Sequence, residues 1–193
     1  MTFSPNSRPL LPVIAVLGGA AYPFIVYALL GRVPAGGLVL AALALVAARL
    51  VGLRGSALAR PLLLPLAAVA ALMAALGLVD GSAAAQAYPI VMSLGMAAAF
   101  GLSLLRPPCL VECFAAVVEP TPTEAARAYM RRVTWVWFGF LLGNAALSAA
   151  SLASGSLELW TLYNGLVSYL LMAALFGGEW LVRRRVRRRE AGR

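Results

Sequence analysis

The chain has 193 residues, 62% of them hydrophobic and only 12% charged, with a formal net charge of +9. A soluble domain is about half apolar and a quarter charged, so this composition points to the bilayer as solvent. The length allows six spans of about 20 residues with short loops and excludes a soluble domain of any size. All 16 basic residues are Arg, and most sit beside apolar segments, where the positive-inside rule puts them. The charge therefore has a membrane explanation, and no nucleic-acid partner is expected. There is no His, which removes His-based acid–base chemistry, Ser–His and Cys–His nucleophile pairs, and His ligation of metal or haem. Two Cys cannot complete a four-ligand zinc site, and no cofactor or metal is expected. Cys109 and Cys113, one helical turn apart, read as reduced cytoplasmic thiols packed as small apolar residues.

The first apolar stretch, residues 10–30, is too long for a signal-peptide core and is interrupted by Tyr22-Pro23, so it reads as helix 1 with a kink near Pro23. Helix 2 covers 35–53; Arg49 is near its end and is expected to snorkel to the interface. Helix 3 covers 61–79, with Ala67, Ala71 and Ala75 as a small-residue stripe. Asp80-Gly81-Ser82 is a turn, and helix 4 covers 85–105, with Pro89 near its start.

Residues 106–132 differ from the rest. Cys109–Phe114 is amphipathic and is expected to lie on the cytoplasmic surface. Thr121-Pro122-Thr123-Glu124 is a capping-box pattern with Pro at the first helical position, so a helix should begin there and carry Arg127, Arg131 and Arg132 towards the membrane. Helix 5 covers 133–153, with Gly139 and Gly143 as a GxxxG packing pair and Trp135 and Trp137 as interfacial anchors by position. Helix 6 covers 159–182, and a basic tail, 183–193, ends the chain.

With the N-terminus inside, the cytoplasmic arginines are Arg8, Arg49, Arg54, Arg60, Arg106, Arg127, Arg131, Arg132 and the seven of the tail, 15 of the 16; Arg32 alone falls outside. The expected fold is thus an all-α polytopic helix bundle, a single domain of six transmembrane helices, N-in and C-in, in a bacterial inner membrane, with a cytoplasmic amphipathic helix between helices 4 and 5. Ala21-Tyr22-Pro23 recurs as Ala87-Tyr88-Pro89. Three helices separate the copies, so a 3+3 inverted repeat of the kind secondary transporters use is one reading, and coincidence is the other.

Polar groups inside hydrocarbon need a reason. Asn144 is the deepest; it reads as interhelical glue beside Gly139 and Gly143 or as a ligand in a substrate pocket. Glu179 is the only acidic residue within a predicted span. It reads as an ion pair with Arg183, four residues on, or as a coupling or headgroup-binding carboxylate. Tyr163, Asn164, Tyr169 and Trp160 lie at the outer end of helix 6, where a belt explains the aromatics but leaves Asn164 over. Arg131, Arg132, Arg183, Arg184 and Arg185 are candidates for binding anionic lipid headgroups.

The second half carries a resemblance. Arg106-Pro107-Pro108 with Glu112, Arg131-Arg132-Val133-Thr134 with Trp137, Gly139, Phe140 and Asn144, and Trp160, Leu162-Tyr163-Asn164-Gly165, Tyr169, Leu171-Met172, Leu175-Phe176 and Gly178-Glu179-Trp180-Leu181-Val182-Arg183 resemble a small, uncharacterised family of bacterial polytopic membrane proteins. Its members are often encoded beside ketosynthases, acyl carrier proteins, acyltransferases and lipid exporters, in aryl-polyene or fatty-acid-like clusters. About half the chain is covered, and the first half matches loosely, mainly through the two Tyr-Pro pairs. Cys113 stands where that family usually has a basic residue. A more distant similarity is to intracellular septation protein A.

The resemblance implies a polyketide- or fatty-acid-like lipid pathway as the setting; with the basic cytoplasmic face and the absence of catalytic groups, the expectation is a non-enzymatic membrane component acting as a scaffold or helping to transfer the lipid product. Membrane lipids are the expected partners, with soluble acyl-carrier or ketosynthase-type proteins at the cytoplasmic face. A small transporter or flippase and a cell-envelope or septation protein are the alternatives. A homo-oligomer through Gly139 and Gly143 stays open.

Overall fold

The computed structural model describes residues 10–56, 58–116 and 122–191, with side chains from Leu17 to Arg184 within that range. Arg8, Thr121 and Arg193 lie outside the described residues, as do the side chains of Arg185 and of the tail arginines that follow it.

The described residues are helical, in the order α1 (Leu10–Leu29), α2 (Ala35–Gly52), α3 (Ala59–Val79), α4 (Gly81–Leu105), α5 (Leu110–Ala115), α6 (Glu124–Ala153), α7 (Leu157–Leu162) and α8 (Ser168–Ala191). A π-turn, Tyr163–Val167, joins α7 to α8. Five helices are long and apolar enough to cross a membrane: α2, α3, α4, α6, and α7 with the π-turn and α8 taken together as Leu157–Arg184. The apolar stretch of α1, Leu17–Leu29, is shorter. Large apolar side chains face outward throughout, among them Leu64 (71% exposed), Leu78 (90%) and Leu105 (77%), as expected where lipid is the solvent.

Short turns between helices rely on glycine where the backbone enters the left-handed region. Gly55 (φ 76°) closes the α2–α3 turn and Gly155 (φ 74°) the α6–α7 turn, positions where a Cβ would strain the chain. Asp80 caps α4: its carboxylate accepts from the amides of Ser82 and Ala83 and from the Ser82 hydroxyl, which moves the start of α4 four residues upstream of the predicted 85. Those donors hold the Asp80 carboxyl below its ordinary range, the Ser82 hydroxyl contributing most.

Thr123 caps α6, accepting from the Ala126 amide. The helix thus begins at Glu124, with Pro122 before it rather than inside it. The helix predicted from the capping box and helix 5 are one element of 30 residues, about 45 Å at 1.5 Å per residue, so its first turns extend beyond a hydrocarbon core of about 30 Å.

α4 is the central helix. It packs on α1, α2, α3, α5 and α6, because small residues on several of its faces let neighbours approach. Ala84, Ala85, Ser93, Ala97, Ala99 and Ser103 are all buried. Gly95 meets Val69 of α3, and Gly101 meets Phe138 of α6. On α3 the buried face is Leu62, Leu66, Val69 and Met73, while Ala67, Ala71 and Ala75 are exposed; the alanine stripe faces away from the bundle.

Gly139 and Gly143 are a correction of the same kind. Both are exposed, and a Cβ on either would meet nothing within 4 Å, so they pack no helix within this bundle. The buried face of α6 is Thr134, Trp137, Leu141, Asn144, Ala145 and Ser148. Trp137 is in the core, 8% exposed, with Phe100, Phe140 and Phe176 around it. Of the two expected anchors only Trp135 is exposed.

α5 docks on the ends of α4 and α6. Leu110 is fully buried, its amide bonded to Ser103 Oγ, and Glu112 pairs with Arg127 of α6 at 3.3 Å. Cys109 is buried and Cys113 half-buried, both free thiols. Burial, then Cys109 and Glu112, push the Cys113 thiol above its ordinary pKa.

Candidate functional site: a polar layer inside the bundle

Two polar clusters lie in the interior, on different faces of α4. The first begins with the recurring Tyr-Pro pairs. Pro89 has no amide, so the Ala85 carbonyl one turn back loses its helical donor. The Tyr22 hydroxyl stands 3.1 Å from that carbonyl and 3.2 Å from that of Leu38, and its proton is shared between the two. The Tyr22 ring lies against that of Tyr88, centroids 4.6 Å apart and tilted by 58°. Both tyrosines are almost fully buried.

The Tyr88 hydroxyl accepts from Arg49, Nη1 to Oη 2.8 Å, and the same nitrogen donates to the Leu45 carbonyl at 3.3 Å. The other terminal nitrogen of Arg49 packs against Gly19 of α1, and Tyr169 of α8 is 3.8 Å from a Cβ placed there. A Cβ at this position would displace the guanidinium end. Arg49 was expected to snorkel outward; it turns into the bundle instead. It continues the buried face of α2, Leu38, Val39, Ala42 and Val46, at helical spacing. That stripe is the sequence signal that identifies it.

The depth of this cluster follows from the helices. Gly81 and Ala35 meet, so α2 and α4 begin level. At about 1.5 Å per residue, the Cα of Arg49 is about 21 Å below that end and the Cα of Tyr88 about 10 Å. Arg49 Nη1 bonds the Leu45 carbonyl, ten residues into α2, so the guanidinium lies about 15 Å from that end, near the middle of a helix about 27 Å long.

The second cluster ties α4, α6 and the π-turn together. Asn144 Nδ2 donates to Ser93 Oγ (3.0 Å), and the Tyr163 hydroxyl donates to Asn144 Oδ1 (2.9 Å). Ser148 Oγ donates to Asn164 Oδ1 (2.6 Å), while Asn164 Nδ2 donates to the Trp160 carbonyl (2.9 Å) and is 3.4 Å from Ser151 Oγ. Asn144, Asn164, Ser148 and Ser151 are all buried.

The π-turn is stabilised by these groups. The Ser168 amide bonds the Tyr163 carbonyl, five residues back, which leaves the Asn164 carbonyl without it. Ser168 Oγ supplies that carbonyl with a donor at 3.1 Å. Gly165 in this turn packs against Phe24 of α1. Trp160, expected in an aromatic belt, is 1% exposed, with its indole N–H on the Gln86 carbonyl.

The predicted site residues therefore divide. Asn144, Tyr163 and Asn164 belong to the second cluster. Glu179 is apart from it, midway along α8 and near Tyr129 of α6. The expected Glu179–Arg183 salt bridge is not formed; among the described residues the ion pair is Arg127–Glu112.

Arg131 and Arg132 are exposed in the N-terminal third of α6, Arg183 is half-buried, and Arg184 lies 5.4 Å over the Trp180 ring. No group of three His, Cys, Asp or Glu able to hold a metal occurs among the described residues.

No family model, curated protein or solved structure matches the chain.

Proposed function

We propose that this protein is a non-enzymatic inner-membrane component of a polyketide- or fatty-acid-like lipid pathway, and that it helps transfer the lipid product by engaging the anionic end of that amphiphile at mid-membrane. The observation that carries the reading is the Arg49 guanidinium held by Tyr88 between the helices, near the middle of α2. A cation there is costly in hydrocarbon, and such residues mark substrate paths. Arginine forms paired hydrogen bonds with carboxylate or phosphate, and the surrounding Tyr22, Tyr88 and Tyr169 offer amphipathic walls.

The topology that goes with this reading has six spans, α1 included, with both ends cytoplasmic. It places Arg54, Arg60, Arg106, Arg131 and Arg132 on the inner side together with the tail. The scaffold role would use that basic face to hold acyl-carrier or ketosynthase-type enzymes.

A small flippase built on a 3+3 inverted repeat is the second reading, favoured by the Tyr22–Tyr88 contact. The repeated motifs lie on α1 and α4, three helices apart, and their rings meet. Under a two-fold relation α1, α2 and α3 correspond to α4, α6 and α8, and the packing of α1 on α2 has its counterpart in α4 on α6.

The test is a lipid comparison of a deletion strain with its parent, run separately on inner and outer membranes by mass spectrometry. A polyene or unusual acyl lipid that accumulates in the inner membrane supports transfer. One that disappears supports the scaffold role. Unchanged profiles with altered cell shape would overturn both in favour of a septation protein.

A further inference from the structure

A groove of about 470 Å³ runs down the outer surface between α2 and α3, lined by Leu50, Val51, Leu63, Leu64 and Ala67, with Arg54 as its single charged group. We infer that this groove is a binding site for one anionic glycerophospholipid, with the phosphate on Arg54 and an acyl chain along the groove. The site is separate from the interior cluster and does not depend on the transfer reading.

Three observations select this occupant. The order of the residues follows a lipid's own polarity. Arg54 lies just beyond the end of α2, in the turn closed by Gly55. Leu50 and Val51 follow in the last turns of α2, and Leu63, Leu64 and Ala67 lie in the first turns of α3. A headgroup at the interface thus has its chain directed into the hydrocarbon. The charge is cationic and exposed, as an anionic headgroup requires and a zwitterionic one does not. The walls are aliphatic and carry no aromatic platform, which suits a flexible chain.

The test uses the full chain purified in a neutral detergent and mixed with equal amounts of phosphatidylglycerol and phosphatidylcholine of matched chains. Retained lipids are counted by native mass spectrometry. The wild type should retain phosphatidylglycerol about fivefold over phosphatidylcholine, the ~1 kcal/mol that one arginine contributes at an anionic surface. Arg54→Gln should lose that preference and still retain either lipid. Ala67→Phe, which fills the groove, should retain neither. Arg106→Gln, an exposed arginine away from the groove, serves as the control for general surface attraction and should behave as the wild type. An Arg54→Gln protein with the wild-type preference would overturn the assignment, as would an equal loss in Arg106→Gln. A lipid-free dimer in place of the lipid adduct would also overturn it.

Discussion

Tyr22 donates a hydrogen bond to the Ala85 carbonyl, the one that Pro89 deprives of its helical amide. Two helices three apart in the chain, α1 and α4, thereby complete one backbone bond. Tyr22→Phe leaves a buried acceptor unsatisfied and should destabilise the bundle by about 1 kcal/mol. Pro89→Ala returns an amide to Ala85, so the Tyr22→Phe, Pro89→Ala double variant should recover most of that loss. A double-mutant cycle in micelles measures it; additive effects would mean that the hydroxyl does not serve this carbonyl.

Glycines on the two sides of the helices should respond oppositely. Gly101→Ala and Gly165→Ala place a Cβ against Phe138 and Phe24 at under 3 Å, and each should lower thermal stability by about 1–3 kcal/mol. Gly139→Ala and Gly143→Ala meet open space, and in a helix they should be neutral or gain up to about 1 kcal/mol. A loss from the second pair comparable to the first would show that these glycines pack against another copy.

Asn144 is bonded on both sides, donating to Ser93 and accepting from Tyr163. Asn144→Leu removes both bonds and leaves the two hydroxyls to find new partners. It should cost about 1–2 kcal/mol and loosen the π-turn. Faster amide exchange at residues 163–168, with residues 59–79 of α3 unchanged, is the expected pattern. A uniform change along the chain would place the effect elsewhere.

The docked α5 makes a prediction about the thiols. The Cys113 pKa is raised, first by burial, so its thiol is protonated and slow at neutral pH, and alkylation should accelerate only at a pH above the ordinary thiol range. Cys109, buried beneath it, should react only after unfolding. In sealed inverted vesicles a membrane-impermeant maleimide should reach Cys113, and in intact cells it should not. The opposite result would reverse the proposed topology.

Much of this architecture is legible in residue pattern. Helix bounds at 10–30, 35–53 and 61–79 lie within two residues of α1, α2 and α3, because apolar length and the glycine turns are local properties. The involvement of Asn144, Tyr163 and Asn164 is legible too, since a buried amide must find partners. What the pattern misses is which side of a helix faces in. The alanine stripe of α3 and the glycine pair of α6 suggest close packing by size alone, yet larger residues on the opposite faces make the contacts. Arg49 was assigned outward by its nearness to a helix end, although its helical register with Leu38, Ala42 and Val46 already directs it inward. The π-turn depends on side-chain donors from Ser168 and Asn164, which no hydropathy pattern encodes.

The central claim is that the Arg49 guanidinium engages the anionic end of a lipid product. An Arg49→Gln variant, returned to the deletion strain at wild-type membrane levels, should retain the hydrogen-bond capacity of the side chain and lose its charge. Inner- and outer-membrane lipid extracts are then compared by mass spectrometry. The proposal predicts the same inner-membrane accumulation as in the deletion strain, with Arg49→Lys partly restoring transfer. A wild-type lipid distribution in the Arg49→Gln strain would contradict it and leave Arg49 a structural partner of Tyr88.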